Sequence, residues 1–417
     1  MELLKEVLKD IKPSAQEEKK VMSAVDGFLK KLNPKLKDAK AILGGSGAKA
    51  TWLHGSHDVD VYVVFDYEKY KDLSSKLSDL LEKILKKIAY TERLHGSRDY
   101  FQMKQGKYLF EIIPILKISN PRQARNITDI SPLHVQWVKK HKKFADQIRL
   151  TKQFMKASYT YGAESYIRGF SGYEAEVLTI HYKGFLDFIR AASKWKEKTM
   201  LDPEHYYKDE KQIQKNLNIS KLVAPLVVVD PVDKDRNIAA ALSPEKYSQF
   251  IRACKLFISN PTKEAFQIKE VTIEDFKKKA KNHKLILLEA ASLKGKEDVV
   301  GCKLLKAYNH IAKQLEKADF KLLGKGWTWD KKQKALFGYI LDKEPLEPYK
   351  KWIGPPLHEK EHIAPFKKAH KRDKIIEQNK RLYAIVKRKH IKPESFIKEL
   401  THTDKYVKER VKEIKLL

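Results

Sequence analysis

Gly44-Gly45-Ser46-Gly47, followed by Asp58-Val59-Asp60-Val61-Tyr62-Val63-Val64-Phe65, is the stretch on which the fold turns. Residues 58 to 65 set β-branched and aromatic side chains between turn-formers, which predicts a strand. Side chains of a strand alternate, so Asp58 and Asp60 share a face with Cα atoms about 7 Å apart. Carboxylates so spaced can straddle a pair of divalent cations about 3.5–4 Å apart, as in-line phosphoryl displacement requires. The glycines form a turn whose backbone N–H groups can approach a triphosphate closely. Either feature alone reads as an ordinary turn or a solvated strand face. Together they read as a site, because carboxylates in so apolar a strand need a partner.

Outward from this stretch, Leu3, Leu4, Val7, Leu8 and Ile11 recur at helical spacing. Ser14-Ala15-Gln16-Glu17 is a capping-box pattern opening a second helix, which Asn33-Pro34 ends. Ala39 to Leu43 is a short strand leading into the glycines. After the Asp-bearing strand, one amphipathic helix is expected to carry Leu73, Leu77, Leu80, Leu81, Ile84, Leu85 and Ile88. Tyr100–Lys104 and Tyr108–Ile113 read as a hairpin joined by Gln105-Gly106-Lys107. Glu111 stands alone among apolar neighbours there. It is either an exposed-face residue or a third carboxylate beside the Asp pair.

The chain's 417 residues suggest roughly two to four domains. Lys+Arg 85 against Asp+Glu 54 gives a net charge of +31, spread along the whole chain. Such a surface fits a polyanion, nucleic acid first. Cys254 and Cys302 offer neither a disulfide framework nor metal-ligand spacing, which fits a reducing cytoplasm. The start carries acidic charge without an apolar core, against a signal peptide, and no apolar run is long enough to span a membrane.

From about 145 to 255 the pattern is helical. One helix is expected to bury Ile148, Phe154 and Met155 and expose Lys152 and Lys156; another runs from Val177 through Ile189. Leu222 to Val229 reads as a buried strand, and Asp230 and Asp233 around Pro231 as turn-formers. Ser131 is a plausible N-cap for a helix bearing His134, and Ser243-Pro244 opens another. Beyond Asn260-Pro261 the sequence becomes Lys-rich α+β, suited to gripping duplex RNA by shape and phosphate. Asp373 to Leu417 is expected to be helical and basic.

Gly45-Ser46, Thr51-Trp52-Leu53 and Asp58-Val59-Asp60 together resemble the signature of the nucleotidyltransferase superfamily related to DNA polymerase β. The Thr-Trp-Leu insert narrows the resemblance to the archaeal (class I) CCA-adding enzymes, the tRNA nucleotidyltransferases. Ser131-Pro132-Leu133-His134, Tyr161-Gly162-Ala163-Glu164 and Ile167 to Tyr173 are similar to further blocks of that family. So are Asp230-Pro231-Val232-Asp233 with Arg236-Asn237, and Gly354-Pro355-Pro356 with Phe366-Lys367-Lys368.

The resemblance implies an α+β multidomain chain. Residues 1–145 would form a polymerase β-like catalytic head and 146–258 a mainly helical neck for base recognition. Residues 259–345 would be an α+β body and 346–417 a basic helical tail, both binding RNA. It implies untemplated addition of CCA to tRNA from CTP and ATP, with two Mg²⁺ ions held by Asp58, Asp60 and Glu111. Gly45, Ser46 and Lys49 fall at the triphosphate; Ser131, His134, Lys156, Ser165 and Arg168 fall at nucleotide-contacting positions; Arg236 falls on the arginine that reads the incoming base. Glu111 stands where the family usually has Asp, Lys49 replaces an Arg, Gly47 an aromatic and Ser165 a Tyr. The implied partners are the acceptor stem and 3′ end of tRNA, with no membrane; a homodimer is compatible with the sequence, which does not fix the oligomeric state. The alternatives are a poly(A)-polymerase-like enzyme on the same head, or a non-catalytic RNA-binding protein that keeps a degenerate one.

Overall fold

Val59, Val61, Val63 and Phe65 point to one side of a strand and are all buried, so that face must meet an apolar layer. The computed structural model describes residues 2–417 and builds a first unit, ending at Lys269, on this strand; Glu270–Leu417 form a second. α1 (Glu2–Ile11) and α2 (Ala15–Leu32) come first. Ser14 caps α2 by accepting from the Glu17 N–H, while the Glu17 carboxylate goes to His54 and the Gly55 N–H rather than back to the cap. Then follow β1 (Ala39–Leu43), α3 (Gly45–Lys49), β2 (Asp58–Phe65), α4 (Tyr67–Tyr70), α5 (Leu77–Leu85), β3 (Glu92–Leu94), β4 (Tyr100–Gln105) and β5 (Tyr108–Leu116).

These strands form one sheet in the order β1-β2-β5-β4-β3. β2 and β5 are its parallel pair, and β4–β5 is the expected hairpin, turned at Gly106 with φ +60°. Val21, Val25 and Phe28 of α2 and Leu77, Leu81 and Leu85 of α5 join Val59, Val61, Phe110 and Ile112 in one core. The opposite face is left for Asp58, Asp60 and Glu111. Two expectations change here. The glycine stretch is a short helix rather than a turn, closed by Ala50 in the left-handed region at φ +54°. The amphipathic helix starts at Leu77, because residues 71–76 kink at Leu73 and the Ser74 hydroxyl oxygen accepts from Arg98.

α6 (Ser131–Lys140), α7 (Ala145–Ala157), α8 (Gly172–His181), α9 (Phe185–Ala192), β6 (Thr199–Leu201), α10 (Glu210–Asn216), β7 (Leu226–Asp230), β8 (Asp233–Asn237) and α11 (Pro244–Ser259) complete the unit. Their core stacks Phe154, Phe185, Phe188, Phe250, Phe257 and Phe266. The single helix expected from Val177 to Ile189 is two, α8 and α9, because Gly184 at φ +139° breaks the ladder. Ser131 is the first helical residue of α6 and not its cap, which is Ile130. Lys152 is buried and Lys156 half-buried, where both were expected to be exposed.

Glu174 in α8 is fully buried, with one carboxylate oxygen lacking any hydrogen-bond partner. Burial pushes its carboxyl well above the usual range, and the Ser171 N–H offsets this only partly. Its folded-state pKa therefore exceeds the unfolded one, so the chain should lose stability as pH rises above the ordinary carboxylate range. Glu174→Gln should raise Tm at pH 8 by a few degrees, about 1 kcal/mol, and change it little at pH 4. Paired thermal melts check this.

The second unit contains α12 (Ile273–Ala280), β9 (Lys284–Ala291), α13 (Glu297–Lys317), β10 (Leu322–Trp329), β11 (Lys334–Leu341), β12 (Tyr349–Pro356), α14 (Lys360–Ala369), β13 (Lys374–Gln378), β14 (Arg381–Lys387), α15 (Pro393–Thr403), α16 (Lys405–Lys408) and β15 (Glu413–Leu416). Its sheets run β10-β11-β9-β15 and β12-β14-β13. The expected helical tail begins instead with the β13–β14 hairpin, whose turn residues Asn379 and Lys380 both have positive φ, 50° and 56°. A two-residue turn of that kind matches strand twist. β15 pairs with β9, so the end of the chain completes the sheet begun at Lys284. No described helix is long and apolar enough to cross a membrane.

Candidate active site

α3 is fastened to β2 by its backbone. The Gly44 N–H donates to the Asp60 carbonyl at 2.8 Å, and the Gly45 N–H to the Tyr62 hydroxyl at 3.2 Å. Gly45 has φ +50°, and a Cβ there would lie 1.7 Å from Asp60 Oδ2. Only glycine lets the helix start press on this carboxylate.

Register places Asp60 directly beside Glu111 on β5, with Asp58 two residues earlier on the same face of β2. Gln102, paired with Glu111 across β4, donates to Glu111 Oε1 at 2.7 Å. Asp60 is pushed up to about 6, first by burial and then by the charge of Glu111, with Asp58 adding to it and Lys49 opposing. Carboxylate oxygens that repel one another are of the kind a hard divalent cation such as Mg²⁺ would relieve. Among the described residues, no group of three His, Cys, Asp or Glu side chains is placed so that it could hold a metal ion as it stands. The trio shares a face and a field.

At the edge of this face lies a group that composition did not reveal. Glu176, fully buried, accepts from Lys49 Nζ at 2.6 Å, Lys152 Nζ at 2.7 Å and Thr51 Oγ1 at 2.7 Å. Burial works against the ionised form, but the two lysines overcome it and hold the carboxyl down at about 2. Lys49 thus stands beside the site, tied to a carboxylate, and its Nζ lies 5.9 Å from the Tyr173 ring centre.

A second group gathers around Asp230, also fully buried. His134 Nε2 lies 3.0 Å from Asp230 Oδ2, and Arg236 reaches the same oxygen at 3.3 Å. The Tyr173 hydroxyl donates to Oδ1 at 3.0 Å, and its ring stacks on His134 with centres 3.9 Å apart. Burial lowers the His134 pKa despite Asp230. For Asp230, burial raises the pKa, but the hydrogen bond and charge of His134 prevail and the net shift is downward. Asp230 is therefore no mere turn-former: it ends a wholly buried strand and joins His134, Tyr173 and Arg236. Asp233 does form a local turn, accepting from the Asp235 N–H.

Of the other expected residues, Ser46 is half-buried within α3, and Ser131 hydrogen-bonds the Tyr62 side chain. Lys156 Nζ lies 5.3 Å from the Tyr161 ring centre. Ser165 and Arg168 are exposed on the loop before α8, where Arg168 has φ +57°. Thr51, Lys152, Tyr173, Glu176 and Asp230 are the polar participants that sequence reasoning missed.

Family models match three successive stretches: a nucleotidyltransferase domain over 24–134, the second domain of tRNA nucleotidyltransferase over 146–267, and the C-terminal domain of the CCA-adding enzyme over 285–415. The chain is 33% identical over 377 residues to the CCA-adding enzyme of Nanoarchaeum equitans, covering 90% of each protein. It is 32% identical to that of Methanosarcina mazei, covering 87% of this chain and 80% of the relative. Among solved structures, a cytoplasmic RNA terminal U-transferase superposes with TM-score 0.50 at 13% identity, spanning 65% of this chain and 98% of that one. A mutant of the Cid1 poly(U) polymerase bound to MgATP gives 0.51 at 16%, spanning 64% and 98%. These two show a shared fold. With the carboxylate-bearing sheet in place and such identity along nearly the whole length, the chain belongs to the CCA-adding enzyme family, the tRNA nucleotidyltransferases.

Proposed function

We propose that this protein adds the 3′-terminal CCA to tRNA without a nucleic-acid template, drawing on CTP and ATP. The observation that carries the reading is Asp60 beside Glu111 on parallel strands, with Asp58 on the same face and Gly45 pressed against Asp60. Asp58, Asp60 and Glu111 would hold a pair of Mg²⁺ ions, which supply acidification of the primer hydroxyl and neutralisation of phosphate charge. Residues 1–145 carry that chemistry. Lys49 and Lys152, locked in place by Glu176, set positive charge at the triphosphate.

Within 146–258, Asp230 holds Arg236 through one nitrogen and leaves the remaining guanidinium N–H groups for a base edge. The stack of Tyr173 on His134 braces that arrangement. Residues 259–345 and 346–417 grip the acceptor stem. On β12, Tyr349, Trp352 and Ile353 are exposed among Lys350 and Lys351, a surface suited to RNA phosphates and bases.

The test offers each nucleotide separately to tRNA lacking its end. CTP alone should add two residues and stop; ATP alone should add one to a primer already ending in CC. Unlimited growth from ATP alone would overturn the reading in favour of a poly(A)-polymerase-like enzyme. Asp230→Asn should raise the KM for both nucleotides about 10- to 100-fold with a smaller change in kcat, the scale of one charge-assisted hydrogen bond.

A further inference from the structure

A cavity of about 1030 Å³ in the first unit lies apart from the carboxylate site. It is lined by α1, the end of α6, the start of α7, the end of α8 and residues 203–205. Trp137 and Phe144 give it aromatic surface, and His141, His181 and His205 line it together with Lys5 and Lys183. Its acids are already engaged: Glu204 accepts from Trp137 Nε1 at 2.9 Å, and Asp187 from Arg190 at 3.1 Å. Three lysines (Lys5, Lys143 and Lys183) face two acids (Glu204 and Asp187) in this lining, a balance of one positive charge. His181 is held below its usual range by burial and by the neighbouring His205, with Asp202 only partly opposing. A neutral imidazole still offers one ring N–H to a phosphate oxygen.

We propose that this cavity binds a nucleoside phosphate, its base against Trp137 and Phe144 and its phosphate at His181, His205 and Lys183. Aromatic walls and a volume far beyond that of a bare phosphate select for the base. The ligand is either a free nucleotide or an unpaired residue of RNA. The site is mechanically joined to the base pocket. Trp137 lies one helical turn beyond His134 on α6, and His181 about 12 Å along α8 from Tyr173. The Tyr206 hydroxyl, next to His205, donates to the Pro231 carbonyl at 2.6 Å, beside Asp230. Occupancy can therefore be felt at Asp230 and Arg236.

Equilibrium dialysis of the full chain against ATP, and separately against the trinucleotide CCA, tests this without relying on catalysis. Wild type should bind two ATP per chain, or one ATP plus one trinucleotide if RNA is the source. The His181→Gln/Lys183→Gln pair should weaken that additional site at least tenfold and leave the other unchanged, while Arg236→Ala should do the reverse. Lys5→Gln with His205→Gln provides an independent variant should the first pair fold poorly. A single ATP with no trinucleotide outside the base pocket, or affinities indifferent to both cavity variants, would overturn the proposal. The proposal rests on the transfer reading only for the first ATP site, and failure of that reading would show separately, as wild-type protein that incorporates neither nucleotide into tRNA lacking its end.

Discussion

Asp60→Asn is expected to abolish CMP and AMP incorporation, a fall on the order of a thousandfold or more, while tRNA binding changes less than about twofold. The carboxylate is asked to help stabilise several kcal/mol of phosphate charge in the transition state, and asparagine keeps its shape without its charge. The same substitution should make the metal-free protein more stable. Asp60 is raised from 3.8 to about 6, so its contribution to stability is intact below pH about 4 and lost as pH rises through about 6. Asparagine removes that loss, worth on the order of 3 kcal/mol at pH 7. Primer extension and urea melts on one preparation read both effects. A carboxylate kept for structure would fail in the opposite sense, losing stability with activity. Equal activity in the variant would remove Asp60 from the chemistry.

Gly45→Ala should be nearly as damaging for a different reason. The left-handed backbone costs an alanine about 1 kcal/mol, and its Cβ would sit 1.7 Å from Asp60 Oδ2. Either α3 lifts from β2 or Asp60 swings away from Glu111. Incorporation should drop at least a hundredfold, because displacement of a catalytic group by about 1 Å has that effect. Gly47→Ala is the control: a Cβ there meets only the end of Leu43, at 3.1 Å, and activity should stay within a fewfold. Gly45→Ala with Asp60→Ala should recover stability without recovering activity. If Gly45→Ala transferred nucleotides normally, the close packing of the glycine on Asp60 would carry no catalytic weight.

The parts legible in sequence are those whose causes are local. β1 and β2 occupy the expected residues because alternation and turn chemistry act over a few positions. The site face followed from the same alternation, and strand register then brought Glu111 beside Asp60. Asp230 and Glu176 were illegible for the opposite reason. Their partners lie far away along the chain, His134 by 96 positions and Lys49 by 127, so only tertiary packing shows that these acids are buried and paired. Lys152 looked like a solvated lysine until Glu176 was seen opposite it. The hairpin at 374–387 was hidden by its basic composition, although Asn379 and the flanking Ile375, Leu382 and Ala384 carried a strand signal.

Binding of Mn²⁺ to the full chain, titrated calorimetrically in wild type and in the variant combining Asp58→Asn, Asp60→Asn and Glu111→Gln, tests the metal-holding role of the trio most directly. Wild type should take up two ions, and the isosteric triple variant, folded by circular dichroism, should take up neither. Uptake of the same number of ions with the same affinity by both proteins would contradict the assignment of these carboxylates as the metal ligands.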